Sequence, residues 1–258
     1  ITYTQGGNVS KDLIEQNIEV VNIPLRCDHP SKITFLKRLI KNIISIRMSG
    51  IDIIHSFDYS SSFAEGLATR LSGRKYVFTK TNMLWNRNYL IKKRLTNAII
   101  SLNRDQFEKF FSDKASRKTR MIPNGVDTNK FKPTKTEENT VFTIAFVAHL
   151  VEVKGHAFFI DVVSALKKQT KIPFQVLCAG VGDEEYSSQL LEKVQELQIQ
   201  DVFRFLNYVN DIPKLLNQSH LAVLPTTERG EACPIAVLES LACGVPIIVS
   251  DTPGNRDI

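Results

Sequence analysis

Val141-Phe142-Thr143-Ile144-Ala145-Phe146-Val147-Ala148-His149 is a nearly unbroken apolar run, and Gly155–Lys168 after it carries apolar residues at helical spacing. The pair reads as a strand followed by a helix, and the alternation continues to the end of the chain. Phe174–Ala179, Val202–Leu206, Leu221–Pro225 and Pro246–Val249 read as further strands, with Glu184–Leu197, Ile212–Gln218 and Pro234–Ala242 as the helices between them. Strands that are apolar on both faces and alternate with helices predict a parallel sheet covered on both sides. Ligands of such sheets bind beyond the carboxyl ends of the strands.

Toward the amino terminus the alternation is less regular. Ile18–Ile23, Ile51–His55 and Tyr76–Thr79 read as strands, and Phe63–Leu71 and Asp105–Phe111 as helices. Ile33–Met48 reads as a helix with Leu36, Leu39, Ile40, Ile43 and Ile44 as its apolar positions. Thr81–Asn97 is polar and basic around Trp85 and takes no assignment from its pattern. The polar stretch Asp127–Asn139, with Pro133, is the expected boundary, giving lobes of residues 1–134 and 135–258. Charge supports the division. The first lobe holds 23 Lys and Arg against 11 Asp and Glu, a balance of +12; the second holds 10 against 16, a balance of −6.

The apolar fraction of 43% is ample for packed cores, and no run approaches the roughly 18 apolar residues of a spanning helix. Cys27, Cys178, Cys233 and Cys243 show no CxxC pairing, which points to free thiols in a reducing compartment. There is no Asp-x-Asp to clamp a metal-bound diphosphate, so no metal is expected. His29 and His156 read as surface residues.

Near the carboxyl end stands Glu231-Ala232-Cys233-Pro234-Ile235-Ala236-Val237-Leu238-Glu239, then Ala242-Cys243-Gly244-Val245-Pro246. Read as a helix, eight residues span about 12 Å, the reach of a sugar, a diphosphate and a ribose. A helix start between the two carboxylates would offer free amide hydrogens to phosphate. Pro234 suits such a start, and Gly244 and Pro246 suit its end.

Three segments together resemble glycosyltransferase family 4. Met121-Ile122-Pro123-Asn124-Gly125-Val126-Asp127 with Phe131-Lys132-Pro133 is similar to that family's inter-domain signature. Ile144–His149 with Lys154-Gly155 resembles its donor-phosphate loop, and Glu231–Glu239 its paired-glutamate motif. The resemblance implies an α/β GT-B fold of two Rossmann-like domains with parallel sheets facing a cleft. It implies a retaining, metal-independent glycosyltransferase with a nucleotide-sugar donor and a glycan or lipid-linked acceptor. Residue by residue, Lys154 would neutralise the leaving diphosphate and Glu231 would contact the sugar hydroxyls. Cys233 and Ile235 would touch sugar and phosphate through their backbone, with Pro234 between them, and Glu239 would hold the ribose. Gly180 and Gly182 resemble the turn near the nucleotide, although a plain strand-to-helix turn reads equally well. Val209 would bring backbone near the base, and His55, at a strand end, would face the acceptor.

Departures from the family pattern carry expectations of their own. Ala148-His149-Leu150 stands where the family has Gly-Arg-Leu; His149 as a phosphate ligand implies weaker or pH-dependent donor binding. Phe78-Thr79-Lys80-Thr81-Asn82 lacks the family's acceptor-side histidine, and Asn207 and His220 replace its usual glycine and aspartate. The family's opening strand and glycine-rich loop are not found, so a fragment truncated at both ends is expected. A nucleotide-sugar-binding protein without turnover and a nucleotide-sugar epimerase are the rival readings. The basic row Lys32, Lys37, Arg38, Lys41 and Arg47 fits the solvated face of a core helix, or peripheral contact with an anionic membrane. No nucleic-acid-binding module is recognisable. The expected location is the cytoplasm, at the inner membrane face where the acceptor is lipid-linked.

Overall fold

The computed structural model describes residues 8–20, 25, 31–57, 61–113, 117–134, 140–227 and 231–258. They fall into two compact units, one drawn from Ile1–Lys80, Leu84–Ser101 and Phe110–Arg120, the other from Thr81–Met83, Leu102–Lys109 and Met121–Ile258. The division comes before the polar stretch expected to mark it.

In the second unit, β5 (Phe142–Val147), β6 (Phe174–Ala179), β7 (Phe203–Asn207), β8 (Leu221–Leu224) and β9 (Ile247–Val249) form a sheet in the order β7-β6-β5-β8-β9. Every pairing is parallel; Ile144 of β5 faces Val176 on one side and Leu221 on the other. Helices α6 (His156–Gln169), α7 (Glu184–Glu196), α8 (Ile212–Asn217), α9 (Ile235–Ala242) and α10 (Pro253–Arg256) belong to the same unit. Side chains alternate across a strand, and β5 serves two cores in this way. Ile144 and Phe146 join Ile160, Val163, Val176 and Leu190, whereas Ala145 joins Phe131, Leu216, Ala222 and Val245 on the opposite face. Burial on both faces is why the strand reads as a continuous apolar run.

The first unit contains α1 (Asn8–Glu15), α2 (Lys32–Met48), α3 (Ala64–Leu71) and α4 (Arg87–Leu95), with a sheet in the order β1 (Ile53–Ser56), β2 (Lys75–Lys80), β3 (Ala98–Ser101), β4 (Thr119–Met121). The β1–β2 and β2–β3 pairs are parallel. Helix α5 (Arg104–Phe111) follows β3. The stretch without an assignment contains α4. Asn86 caps it by accepting from the Asn88 amide at 3.0 Å, and Trp85 stacks on Tyr89 and Phe110 at 5.3 and 4.5 Å. Helix α2 departs from its expected pattern. Leu39 and Ile46 are buried with Ala64 and Ala68, and Ile43 packs against them, but Leu36, Ile40 and Ile44 are exposed. Part of the expected strand Ile18–Ile23, together with Cys27 and His29, lies outside the described residues.

Candidate functional site

The order of the second sheet reverses between β5 and β8, and the loops that leave those two strands meet at the carboxyl edge. After β5 the chain makes a 3-10 turn, Glu152–Lys154, and reaches Gly155 in the left-handed region at φ 75°. A Cβ on Gly155 would stand 2.1 Å from the Pro225 carbonyl oxygen, just past β8. Only glycine permits both that backbone and that approach. The Thr227 amide donates to the Val153 carbonyl at 2.9 Å. Across this junction Lys154 and Glu231 form an ion pair, the lysine side chain 12% exposed and the glutamate 35%. The two residues implied to act at opposite ends of the reacting bond therefore share one place.

Glu231 does not begin a helix, contrary to the expectation from its spacing to Glu239. It sits in a loop, bridged to Asn82, and α9 starts only at Ile235. Pro234 takes the cap position with ψ 119°, and a residue before proline is disfavoured in helical conformation, which holds Cys233 out of the helix. Two asparagines tether this loop by its carbonyls. Asn103 donates to Ala232 and Asn124 to Cys233, each at 2.7 Å. Gly254 lets α10 close against it, since a Cβ there would lie 2.3 Å from the Glu231 carbonyl oxygen. Asn103 and Gly254 escaped the sequence reading because no local pattern marks a contact made so far along the chain.

No side chain caps α9, so amide hydrogens of its first turn remain for a ligand. Its far end is closed by the Val245 amide on the Ser240 carbonyl and the Gly244 amide on Leu241, with Gly244 at φ 73°. One turn into α9, the carboxyl of half-buried Glu239 is pushed up by burial, with Lys130 pulling the other way. Cys178, Cys233 and Cys243 are buried free thiols, and burial pushes Cys178 up to about 12.

Beside the β5 loop, the amides of Ala148 and Leu150 donate to the carbonyls of Ala179 and Val181. A Cβ on Gly180 would come 1.8 Å from the Ala148 carbonyl oxygen, and one on Gly182 would come 2.2 Å from that of Leu150. These glycines let two strand-end loops touch. His149 is exposed, its Nδ1 3.4 Å from the Val181 carbonyl oxygen. Val209 follows β7 at the same edge, two strands from β5. His220 lies elsewhere: just before β8, at the amino edge, its Nδ1 accepts from the Thr143 amide at 3.0 Å.

His156 corrects its surface reading. It opens α6 fully buried, its ring stacked on Phe146 at 4.3 Å. Burial pushes its pKa down to about 4, helped by the Lys154 ammonium and opposed by the Val151 carbonyl. Neither ring nitrogen has a hydrogen-bond partner of normal geometry among the described residues.

In the first unit His55 is exposed in β1, with Nε2 2.7 Å from the Thr79 hydroxyl and its ring 4.2 Å from that of Phe57. Burial lowers its pKa. At the end of β2, Lys80 is fully buried with its ammonium 4.1 Å from the Tyr89 ring centre; burial and then Lys92 bring its pKa down to about 7. Strand periodicity gave no sign of a buried lysine there.

Comparison with known proteins adds the following. A family model described as glycosyl transferases group 1 matches residues 127–258, and one described as Glycosyltransferase Family 4 matches residues 2–130. An Escherichia coli UDP-Gal:alpha-D-GlcNAc-diphosphoundecaprenol alpha-1,3-galactosyltransferase is 25% identical over 95% of this chain and 69% of its own length. The putative glycosyltransferase EpsF of Bacillus subtilis is 27% identical over 76% of this chain, which spans only 56% of that protein. Among solved structures, Anabaena Alr3699/HepE in complex with UDP and glucose superposes with a TM-score of 0.80 at 17% identity, over 97% of this chain and 72% of that one. A glycosyltransferase from Rickettsia africae gives 0.76 at 18% identity, over 96% and 70%. At such identities the structures speak to fold alone, and the fold is GT-B.

Proposed function

The chain belongs to the group 1 glycosyl transferases, and from that premise we propose that it moves a hexose from a nucleotide-sugar to a glycan or lipid-linked acceptor, with retention and without a metal. The observation that carries the reading is the meeting of Lys154 with Glu231 at the β5–β8 switch point, next to the uncapped start of α9. Glycosyl transfer builds negative charge on the departing diphosphate and positive charge at the sugar carbon. Lys154 and the first amides of α9, with Cys233, Pro234 and Ile235, suit the diphosphate; no cation beyond them is invoked. Glu231 suits the sugar, and Glu239, one turn along α9, suits the ribose hydroxyls. His149, Gly180 and Val209 line the same edge. In this account the acceptor attacks from the face the diphosphate leaves, and a donor phosphate oxygen takes its proton. His55 belongs to the acceptor side, and the basic first lobe suits an anionic membrane that carries the acceptor. The E. coli relative acts on a diphosphoundecaprenol-linked sugar, which supports a lipid-linked acceptor here.

Lys154→Ala and Glu231→Ala test this. Each should lower transfer by about a hundredfold or more while far-UV circular dichroism stays unchanged, the scale of losing a preorganised charge at a reacting centre. Undiminished transfer in both folded variants rejects the assignment. One observation favours a second reading, binding without turnover: exposed His149 stands where the family carries a guanidinium. Donor binding with no transfer or donor hydrolysis in the wild type would select it.

A further inference from the structure

The loop that carries Glu231 is held by the start of α5. Asn103 caps that helix, its Oδ1 accepting from the Gln106 amide at 2.7 Å, while its Nδ2 donates to the Ala232 carbonyl at 2.7 Å. One turn along, Gln106 repeats the arrangement. Its Oε1 accepts from the Leu102 amide at 2.9 Å, and its Nε2 donates to the Asn82 carbonyl at 3.1 Å. Asn82 in turn is bridged antiparallel to Glu231. A carboxamide offers an acceptor and a donor from one planar group, so each side chain fixes its own turn with the oxygen and reaches out with the nitrogen. Both are buried, at 1% and 0% exposure, and Asn82, Asn103, Gln106 and Glu231 all belong to the second unit. The same turn also meets α10, because the Arg104 amide donates to the Asp257 carboxylate at 2.5 Å.

We propose that Asn103 and Gln106 are positioning residues for transfer, setting where the Glu231 carboxylate stands against the reacting sugar. They act through the backbone of Ala232 and Asn82, and the proposal rests on the reading of Glu231 as the sugar contact. Pro234 keeps Cys233 out of α9, so residues 231–233 take their register from side chains elsewhere in the chain rather than from a helical ladder. Misplacing a group at a reacting centre by about 1 Å can cost about a hundredfold in rate. The diphosphate contacts assigned to Lys154 and the first amides of α9 do not pass through α5, so donor binding should survive where turnover does not.

Asn103→Asp and Gln106→Glu test this in the whole chain. Each keeps the accepting oxygen, and Asp caps helices as well as Asn does, but each turns the donating nitrogen into an oxygen that faces a carbonyl. The probe is the uridine-, guanosine- or adenosine-diphosphate hexose that most raises the melting temperature, its turnover followed by release of the nucleoside diphosphate. In each variant kcat should fall about ten- to a hundredfold while KM for the donor stays within about threefold. Placed in Glu231→Ala, either substitution should cost less than about threefold more, because the carboxylate it positions is gone. A merely structural role would instead give losses that follow the melting temperature and multiply in the double variants. The proposal falls if the folded variants keep kcat within about threefold of the wild type, if KM for the donor rises in step with the loss, if the losses multiply, or if neither variant folds. Glu231→Ala with undiminished turnover, or a wild type that binds the donor and never turns it over, overturns the reading of Glu231 and this one with it. An impaired Glu231→Ala beside an undisturbed Asn103→Asp and Gln106→Glu overturns this one alone.

Discussion

At the scale of single residues, the Lys154–Glu231 pair ties up both charges when no donor is present. A free nucleoside diphosphate would take Lys154 and leave Glu231 partly buried without its cation, whereas a nucleotide-sugar offers hydroxyls to it as well. Glu231→Gln removes that cost. Calorimetry should show free diphosphate binding a few-fold tighter, on the order of 1 kcal/mol for a partly exposed pair, and the nucleotide-sugar binding more weakly. His156 gives a pH prediction. Its folded pKa of about 4 lies below the ordinary 6.5, so between those values the unfolded chain binds the extra proton. Stability must therefore fall as pH drops from about 6.5 to about 4, by up to about 3 kcal/mol, and level off below. Denaturant titrations across that range should show this slope in the wild type and a flatter one in His156→Phe, whose ring can keep the stack on Phe146. A lone histidine after Lys-Gly gives no hint of burial in the sequence; the stack exists because Gly155 turns the chain inward before α6 begins.

At the scale of elements, the second sheet was legible strand by strand, because strands buried on both faces leave long apolar runs. The helix at the paired glutamates was legible only from Pro234 onward, since Glu231 owes its place to tethers from Asn103 and Asn124. In the first unit, β3 and β4 have four and three residues, too few for a period to show. Helix α4 takes no assignment from the sequence because Arg-Asn-Tyr-Leu-Ile-Lys-Lys-Arg-Leu is nearly half cationic; the aromatic stack around Trp85 stabilises it. The site's loops depend on close backbone approaches. Gly155→Ala would add left-handed strain to a collision with Pro225, and should cost about 2 kcal/mol or more. Thermal melting should show the loss, with donor affinity falling in the same variant. Gly50→Ala, also at positive φ but with open space around the added carbon, should cost only the backbone strain of about 1–2 kcal/mol.

At the scale of the whole molecule, the charge asymmetry pointed to two lobes, and the chain does fall into two compact units; the family resemblance foreshadowed their α/β architecture. The strand order β7-β6-β5-β8-β9 was not legible, because which strands pair is decided by contacts far apart in sequence. That order matters most, since it puts the β5 and β8 loops side by side and so brings Lys154 to Glu231. Backbone amide exchange, measured with and without the uridine-, guanosine- or adenosine-diphosphate sugar that most raises the melting temperature, reads out that junction directly. The account predicts slowed exchange in residues 148–156 and 231–239, smaller slowing in 180–183, and none in β1 to β3. Protection confined to the first unit, or missing from both the β5 loop and the start of α9, would contradict it.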